Sequence, residues 1–175
     1  DLSTSLETNP EPATAKQTWE IPLLLALLAL TAFGRFYALS AVPYGIEGDE
    51  AKWTSEAVNL GILGETDISG EYHRDALPVS FYLQAPFHRL FGASLLSARA
   101  TVAFLSVLAS LIFYWLLRQM TPVPLAALAT FLLSVSIFDI SASRLANVES
   151  FVKLWAVLPL ALLAFALKNK PWQAF

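Results

Sequence analysis

The stretch ATVAFLSVLASLIFYWLL, residues 100–117, lies between Arg99 and Arg118 and carries no charge over 18 residues. The next stretch, QMTPVPLAALATFLLSVSIF at 119–138, carries none over 20 residues. A helix needs about 20 mostly apolar residues to cross the hydrocarbon core of a bilayer. Both stretches are therefore predicted to span a membrane as helices.

Two shorter apolar runs, each of 14 residues, lie before and after this pair. They occupy residues 21–34 and 154–167, and they reach spanning length if Arg35 and Lys153 snorkel to an interface. The sequence thus predicts an all-α integral membrane protein with four transmembrane helices, at residues 21–42, 98–118, 121–139 and 147–168.

Composition supports this class, because 56% of the residues are hydrophobic and only 14% are charged, which is rare in a soluble domain. A net charge of -3 without a basic tract gives no sign of nucleic-acid binding. Residues 1–18 are rich in Ser, Thr, Glu and Pro and are predicted to be a disordered tail. The first residue is Asp1 and no closing element follows the last helix, so we expect residues 19–175 to be part of a longer protein.

The polar loop at residues 43–97 must lie outside the hydrocarbon, and its apolar spacing predicts two amphipathic helices along the membrane face. The first runs from Asp49 to Leu60 and the second from Pro78 to Phe91. Their apolar faces are formed by Trp53, Ala57 and Leu60 and by Val79, Leu83, Phe87 and Leu90. We expect Trp53, Phe81, Tyr82 and Phe87 to face the membrane.

An acidic pair, Asp49 and Glu50, follows the first predicted span by a few residues. Two further crossings return the chain to the same face, so Arg144 and Glu149 are predicted to lie there too. A carboxylate can act as a general base, and a guanidinium can hold phosphate oxygens. Together, these acids and Arg144 suit transfer of a group from a lipid phosphate to an acceptor hydroxyl. The alternative is that the pair only caps a surface helix, and Arg99 is predicted to be an interfacial anchor rather than a phosphate ligand.

Several motifs occur in an order and spacing that resemble the bacterial membrane glycosyltransferases of the GT-C class. The likeness is greatest to the group of protein mannosyltransferases and aminoarabinose transferases. It covers about residues 33–168 and includes Arg35-Phe36-Tyr37-Ala38-Leu39, Gly48-Asp49-Glu50-Ala51, Leu77-Pro78-Val79-Ser80-Phe81-Tyr82, Ser97-Ala98-Arg99 and Ser143-Arg144-Leu145-Ala146-Asn147-Val148-Glu149.

This resemblance implies inverting transfer of a sugar from a polyprenyl-phosphate donor to an acceptor hydroxyl at the extracytoplasmic face. Asp49 would be the general base with Glu50 beside it, Glu149 stands where the family has a second acid, and Arg144 would contact the donor phosphate. The family topology places the N-terminus in the cytoplasm and residues 43–97 outside, in a bacterial plasma membrane. A fragment of such an enzyme is expected to be inactive alone.

One departure concerns the residue before Pro78, which is lysine in several relatives and is Leu77 here. Its contact with the donor cannot be carried over, and Arg74 or His73 is the expected substitute. Acidic groups could also hold a divalent cation, whereas His73 and His88 form only a weak metal signal.

Two rival hypotheses come from other classes. The first is a transporter whose outer loop binds substrate without reacting, and the second is a non-catalytic assembly subunit that tolerates loss of Asp49. Transporters usually place ionisable groups near the bilayer midplane on broken helices, whereas the long runs here are free of charge. The sequence leaves open the sugar and whether the acceptor is lipid, glycan or protein.

Overall fold

The computed structural model describes residues 19–64 and 79–168, and within them all regular structure is helical. The helices are α1 (Glu20–Phe36), α2 (Gly48–Val58), α3 (Val79–Phe91), α4 (Leu95–Arg118), α5 (Val123–Val135), α6 (Ile137–Ala142) and α7 (Val152–Lys168). A π-helical turn, Asn59–Leu63, continues α2, and a 3-10 turn, Val148–Phe151, leads into α7. The tail at 1–18 and Arg74 lie outside the described residues.

The helix α4 is the centre of the bundle and packs against α1, α3, α5 and α7. It begins at a capping box, in which the Ser94 hydroxyl accepts from the Ser97 N–H and the Ser97 hydroxyl accepts from the Ser94 N–H. Its 24 residues correspond to about 36 Å at 1.5 Å per residue. Such a length is sufficient for a tilted membrane span.

Two helices in the described part are long and apolar enough to cross a membrane, Leu95–Arg118 and Glu149–Leu167, while Val123–Val135 is a shorter apolar helix. Large apolar side chains cover the outside of the bundle, which is unusual for a surface in water. They include Phe104, Leu108, Trp115, Leu125, Leu128, Phe131, Leu132, Leu160, Leu162, Leu163 and Phe165.

The helices stop short of the predicted boundaries near the outer end of the bundle. The first ends at Phe36 rather than at 42, because Ala38 takes a left-handed backbone with φ 50°. The third breaks at Ser136, whose hydroxyl accepts from the N–H of Asp139 and so begins α6. Serine competes for backbone donors in this way at helix ends.

Arg35 and Lys153 do not snorkel, and that expectation is wrong. Arg35 is fully buried, and both cations form ion pairs with Asp139. The side chains turn inward because a carboxylate and the hydroxyl of Ser106 are available to them inside the bundle. Asp139 is correspondingly part-buried and paired, rather than a free interfacial helix end.

The helices α2 and α3 pack on each other and on the N-terminal part of α4. The predicted apolar face of α2 is confirmed, since Trp53, Ala57 and Leu60 are buried against Phe81 and Ala85. The rings of Trp53 and Phe81 lie 5.7 Å apart. These two aromatic residues therefore form the contact between the helices and do not face the membrane.

The predicted apolar face of α3 is not the face that packs on the protein, because Val79 and Leu90 are exposed and only Leu83 reaches the core. The buried face instead consists of Ser80, Phe81, Gln84, Ala85 and His88. The face predicted from the apolar spacing is therefore rotated by about one residue from the face that is buried. The close contact with the π-helical turn decides the rotation: a Cβ on Gly61 would lie 2.7 Å from the Ala85 carbonyl oxygen.

Candidate active site

Two adjacent carboxylates in the first turn of α2 have opposite environments. Asp49 is exposed, whereas Glu50 has no accessible surface. Both follow Glu47, the extended residue that precedes the helix. Because consecutive helical residues point about 100° apart, one of the pair can face the outside while the other enters the protein.

Glu50 forms a two-pronged ion pair with Arg99 of α4. The Arg99 Nε donates to Glu50 Oε1 at 2.8 Å, and Nη2 donates to Oε2 at 2.7 Å. The backbone N–H of Ala146 also donates to Oε1, at 2.9 Å. Burial alone would raise the pKa of Glu50, but the hydrogen bonds from Arg99 and Ala146 outweigh it and hold the pKa below its ordinary value.

Arg99 also fixes the chain that enters α2. Its Nη1 donates to the Pro43 carbonyl at 2.9 Å, and its Nη2 donates to the Gly45 carbonyl at 2.7 Å. The side chain is 1% exposed, so the prediction of an interfacial anchor is wrong. Together with Glu50, it ties the start of α2 to α4.

Arg144 lies 7% exposed beneath the turn that follows α1. Its Nη1 donates to the carbonyls of Gly34 and Arg35 at 2.9 and 3.2 Å, and its Nη2 donates to those of Tyr37 and Val42 at 2.7 and 2.8 Å. The predicted phosphate contact would have to compete with these carbonyls. The geometry fits an anchor for this turn.

The predicted meeting of the two distant segments is observed. Besides the contact of Ala146 with Glu50, the amide of Asn147 donates to the Glu47 carboxylate at 3.1 Å. Glu149 is exposed in the 3-10 turn just beyond. We call the exposed acids Glu47, Asp49 and Glu149 the rim; they lie on the two segments that these hydrogen bonds join.

The described residues contain no group of three or more acids or histidines able to hold a metal ion. His88, one of the two histidines, is fully buried, and its Nδ1 lies 2.8 Å from the Ser97 hydroxyl. His73 and Arg74 fall outside the described ranges. The divalent cation considered from the sequence therefore has no ligand set in the part of the rim that is described.

An apolar groove of about 510 Å³ lies between the turn after α1, the end of α3 and the start of α4. Aromatic rings line it: Phe87 lies 6.0 Å from Phe91 and 5.8 Å from Phe104, centre to centre. Leu39 and Phe36 form its other wall. Such a lining suits a hydrocarbon chain better than a polar ligand.

The apolar outer surface of the bundle, together with two helices long enough to cross a membrane, indicates a membrane-type protein. The model of the dolichyl-phosphate-mannose-protein mannosyltransferase family matches residues 75–175, more than half of the chain. The chain belongs to this family of GT-C mannosyltransferase-like proteins. No curated protein and no solved structure matches it.

The matched region contains Arg99, Arg144 and Glu149 but begins after Asp49 and Glu50. The structure connects the two parts through the Glu50–Arg99 pair and the Ala146 hydrogen bond. Sequence reasoning missed the pairing of Glu50 with Arg99. The sequence does contain a signal for this pairing. Few charged residues lie near the apolar runs, so each of them has few possible partners.

Proposed function

We propose that this protein transfers a sugar, with inversion, from a polyprenyl-phosphate donor to an acceptor hydroxyl at the extracytoplasmic membrane face. Family membership supports glycosyl transfer from such a donor in general. The observation that supports this site is the exposed Asp49 beside the fully buried Glu50. Asp49 is available to react because Glu50 makes the structural contacts.

In the proposed reaction, Asp49 accepts the proton of the acceptor hydroxyl as the hydroxyl oxygen attacks the anomeric carbon of the donor sugar. The bond from that carbon to the phosphate oxygen breaks on the opposite side, which inverts the anomeric configuration. Polyprenyl phosphate leaves with the electron pair of the broken bond. A general base of this kind contributes about 10²–10⁴-fold in rate.

Glu50 and Glu149 were predicted to share this chemistry, and we propose different roles for them. Both oxygens of Glu50 are occupied by Arg99, so we assign it to positioning Asp49. Glu149 is exposed on the other rim segment and remains a candidate second acid. Its carboxylate could orient the acceptor.

The donor requires one binding site for its lipid chain and one for its phosphate. We propose that the polyprenyl chain lies in the aromatic groove beside Phe87 and Phe104. Arg74 remains our candidate for the phosphate. Arg144 is a weaker one, because its guanidinium nitrogens already donate to carbonyls of the turn after α1.

We also propose a topology with four crossings, by α1, by α4, by α5 with α6, and by α7. The N-terminus would be cytoplasmic, and α2 and α3 would lie on the outer surface of a bacterial plasma membrane. This arrangement places the rim and the groove mouth on one side. Cysteine scanning with a membrane-impermeant thiol reagent tests it, at Glu47 on the proposed outer side and Met120 on the inner side.

Transport is the rival that a specific observation favours. Arg35, Asp139 and Lys153 gather where the third predicted span breaks, and buried charges on broken helices are typical of transporters. Sugar uptake into vesicles distinguishes the two. Substitution of Asp49 by asparagine should abolish transfer in the enzyme but leave the buried charges of a transporter intact.

The direct test is transfer of a labelled sugar from a polyprenyl-phosphate donor in membranes that contain the protein. Asp49→Asn should reduce the rate by about 10²–10⁴-fold without loss of expression. The matched control is Glu56→Gln, an acid later in α2 and outside the rim, which should keep most of the rate. Undiminished transfer by Asp49→Asn would overturn the proposal.

A further inference from the structure

The buried face of α3 carries a band of polar side chains, Ser80, Gln84 and His88. They follow one another at intervals of four residues, and none of them has accessible surface. Residues four apart lie one above the other on the same face of a helix, so the three form a continuous band, which we call the polar stripe. An amphipathic helix ordinarily buries apolar side chains at such positions.

Most polar atoms of the stripe lack a hydrogen-bond partner in the protein. Among the described residues, the Ser80 hydroxyl, both amide atoms of Gln84 and Nε2 of His88 are buried and form no hydrogen bond. The same holds for Nε1 of Trp53 and the hydroxyl of Thr54 on α2, so six of the eight such atoms in the described ranges lie on these two helices. Buried polar atoms nearly always find partners, and a concentration of unpaired ones requires a specific reason.

The polar stripe lies at the junction of α2 and α4. At 100° per residue, Gln84 falls between Phe81 on one side of α3 and Leu83 on the other. Phe81 packs in the cluster that contains Trp53 of α2, and Leu83 packs on the cluster that contains Val102 of α4. Apolar contacts therefore hold α3 along both edges, while the middle of the interface gains nothing from hydrogen bonding.

The C-terminal end of α3 is fixed to α4. The Ser97 hydroxyl lies 2.8 Å from Nδ1 of His88 and donates to the Gly92 carbonyl at 2.8 Å. Gly92 has φ 82°, a backbone conformation that glycine adopts without strain. Within the helix, Pro86 has no N–H to donate to the carbonyl of Tyr82. The helix is thus anchored at Gly92 and lacks one of its own backbone hydrogen bonds near its middle.

We propose that α3 is a lid over the aromatic groove, which opens when the helix turns away from the junction about Gly92 and carries the polar stripe into water. Phe87 and Phe91 of α3 line the groove, and Phe87 closes it against Phe104 of α4. In the open position, water pairs with the atoms of the stripe and offsets the loss of apolar contacts. Lids of this kind control access to enclosed sites.

The lid rests on the proposed function only in taking the groove as the site of the lipid chain. Its mobility is measured by amide hydrogen exchange of the purified protein in phosphatidylcholine nanodiscs. The amides of α3 should exchange at least tenfold faster than those of α2, a helix of similar length with 11 residues against 13.

Gln84→Met replaces the unpaired amide by an apolar group of similar shape. Exchange of α3 should slow by at least tenfold, and the unfolding temperature should not fall, because no hydrogen bond is lost. The matched control is Gln119→Met, at an exposed glutamine just after the other end of α4. It should leave the exchange of α3 unchanged.

Access to the groove is measured with an introduced cysteine, because the chain has none of its own. Ala100 lines the groove, and N-phenylmaleimide should label Ala100→Cys at least tenfold more slowly when Gln84→Met is added. Labelling of Met120→Cys, at a residue that is 80% exposed, should not change.

Protection of α3 equal to that of α2 would overturn the proposal. A Gln84→Met variant that unfolds earlier, or does not fold, would also overturn it, because the amide would then have stabilising partners such as internal water. Unchanged labelling of Ala100→Cys would show that α3 does not cover the groove. None of these measurements uses sugar transfer, so the lid and the proposed reaction can fail separately.

Discussion

Two clusters of charge lie at different depths of the same bundle, and each holds two cations and one carboxylate. The outer cluster consists of Glu50, Arg99 and Arg144, and the inner cluster of Arg35, Asp139 and Lys153. In the outer cluster, the cations donate to main-chain carbonyls of the turn at 34–45 as well as to Glu50. In the inner cluster, serine hydroxyls accept from both cations, and Arg35 also donates to the carbonyls of Thr31 and Ser134.

The difference in acceptors indicates a difference in role. Carbonyls of a fixed turn cannot be given up without unfolding that turn, so the outer cluster is structural and holds the rim in place. Hydroxyl groups can rotate and exchange partners, and Lys153 remains partly accessible. We therefore expect the loss of a cation from the outer cluster to cost more stability than the loss of Lys153.

The largest expected effect comes from breaking the outer pair. Arg99→Met leaves the buried Glu50 carboxylate without its cationic partner and should cost about 3–5 kcal/mol of stability. The double substitution Glu50→Met with Arg99→Met should cost less than Arg99→Met alone, because no buried charge is left. Thermal unfolding of both variants measures the coupling, and a double variant that is worse than the single one would contradict the account.

A smaller loss is expected for Arg144→Lys, which keeps the charge but loses the planar fork. An ammonium cannot donate to four carbonyls at once, and each buried acceptor left without a donor costs about 1–3 kcal/mol. Limited proteolysis should show a more accessible turn near residue 40. The control is Arg118→Lys at the part-exposed Glu20 pair, where solvent screening leaves little stability to lose.

Acid should weaken the outer cluster by titrating Glu50. Its folded-state pKa lies below the ordinary value of 4.5, so the stabilisation is complete above that pH and is lost as the pH falls through the lowered pKa. The unfolding temperature of wild type should therefore drop on acidification below 4.5. The slope should be shallower in Glu50→Gln, and equal slopes would show that Glu50 does not contribute.

The smallest effect on stability is expected for Lys153→Met. It leaves Arg35 and Asp139 as a balanced pair, so the unfolding free energy should change by only about 1 kcal/mol or less. A large loss of stability would show that Lys153 is structural and would remove the contrast between the clusters.

Most of the architecture could be predicted from the sequence, because uncharged runs and helical spacing depend on local composition. The helix over 98–118, the shared face of Trp53 and Ala57, and the approach of the segment at 144–149 to the acidic pair all followed from such patterns. The burial of Trp53 inside the protein did not. The helix ends did not, since they depend on a left-handed Ala38 and on capping by Ser136.

The candidate site was predicted as a group of residues but not as a set of roles. Adjacent acids look alike in sequence, and only the position of Arg99 separates Asp49 from Glu50. The sequence predicts that Lys153 and Arg35 reach an interface because it does not reveal their acceptor. That acceptor is Asp139, which is 14 residues from Lys153 and 104 residues from Arg35. Pairing over such distances depends on tertiary packing, which periodicity does not contain.

The central claim is that neighbouring carboxylates divide the work, with Asp49 reacting and Glu50 supporting. The most direct measurement is the transfer rate per folded molecule, determined with unfolding temperature, for Asp49→Asn and Glu50→Gln. The account predicts that Asp49→Asn keeps the wild-type unfolding temperature but loses transfer, while Glu50→Gln unfolds earlier and its folded fraction still reacts. The opposite pattern, an active Asp49→Asn with a stable but inactive Glu50→Gln, would contradict it.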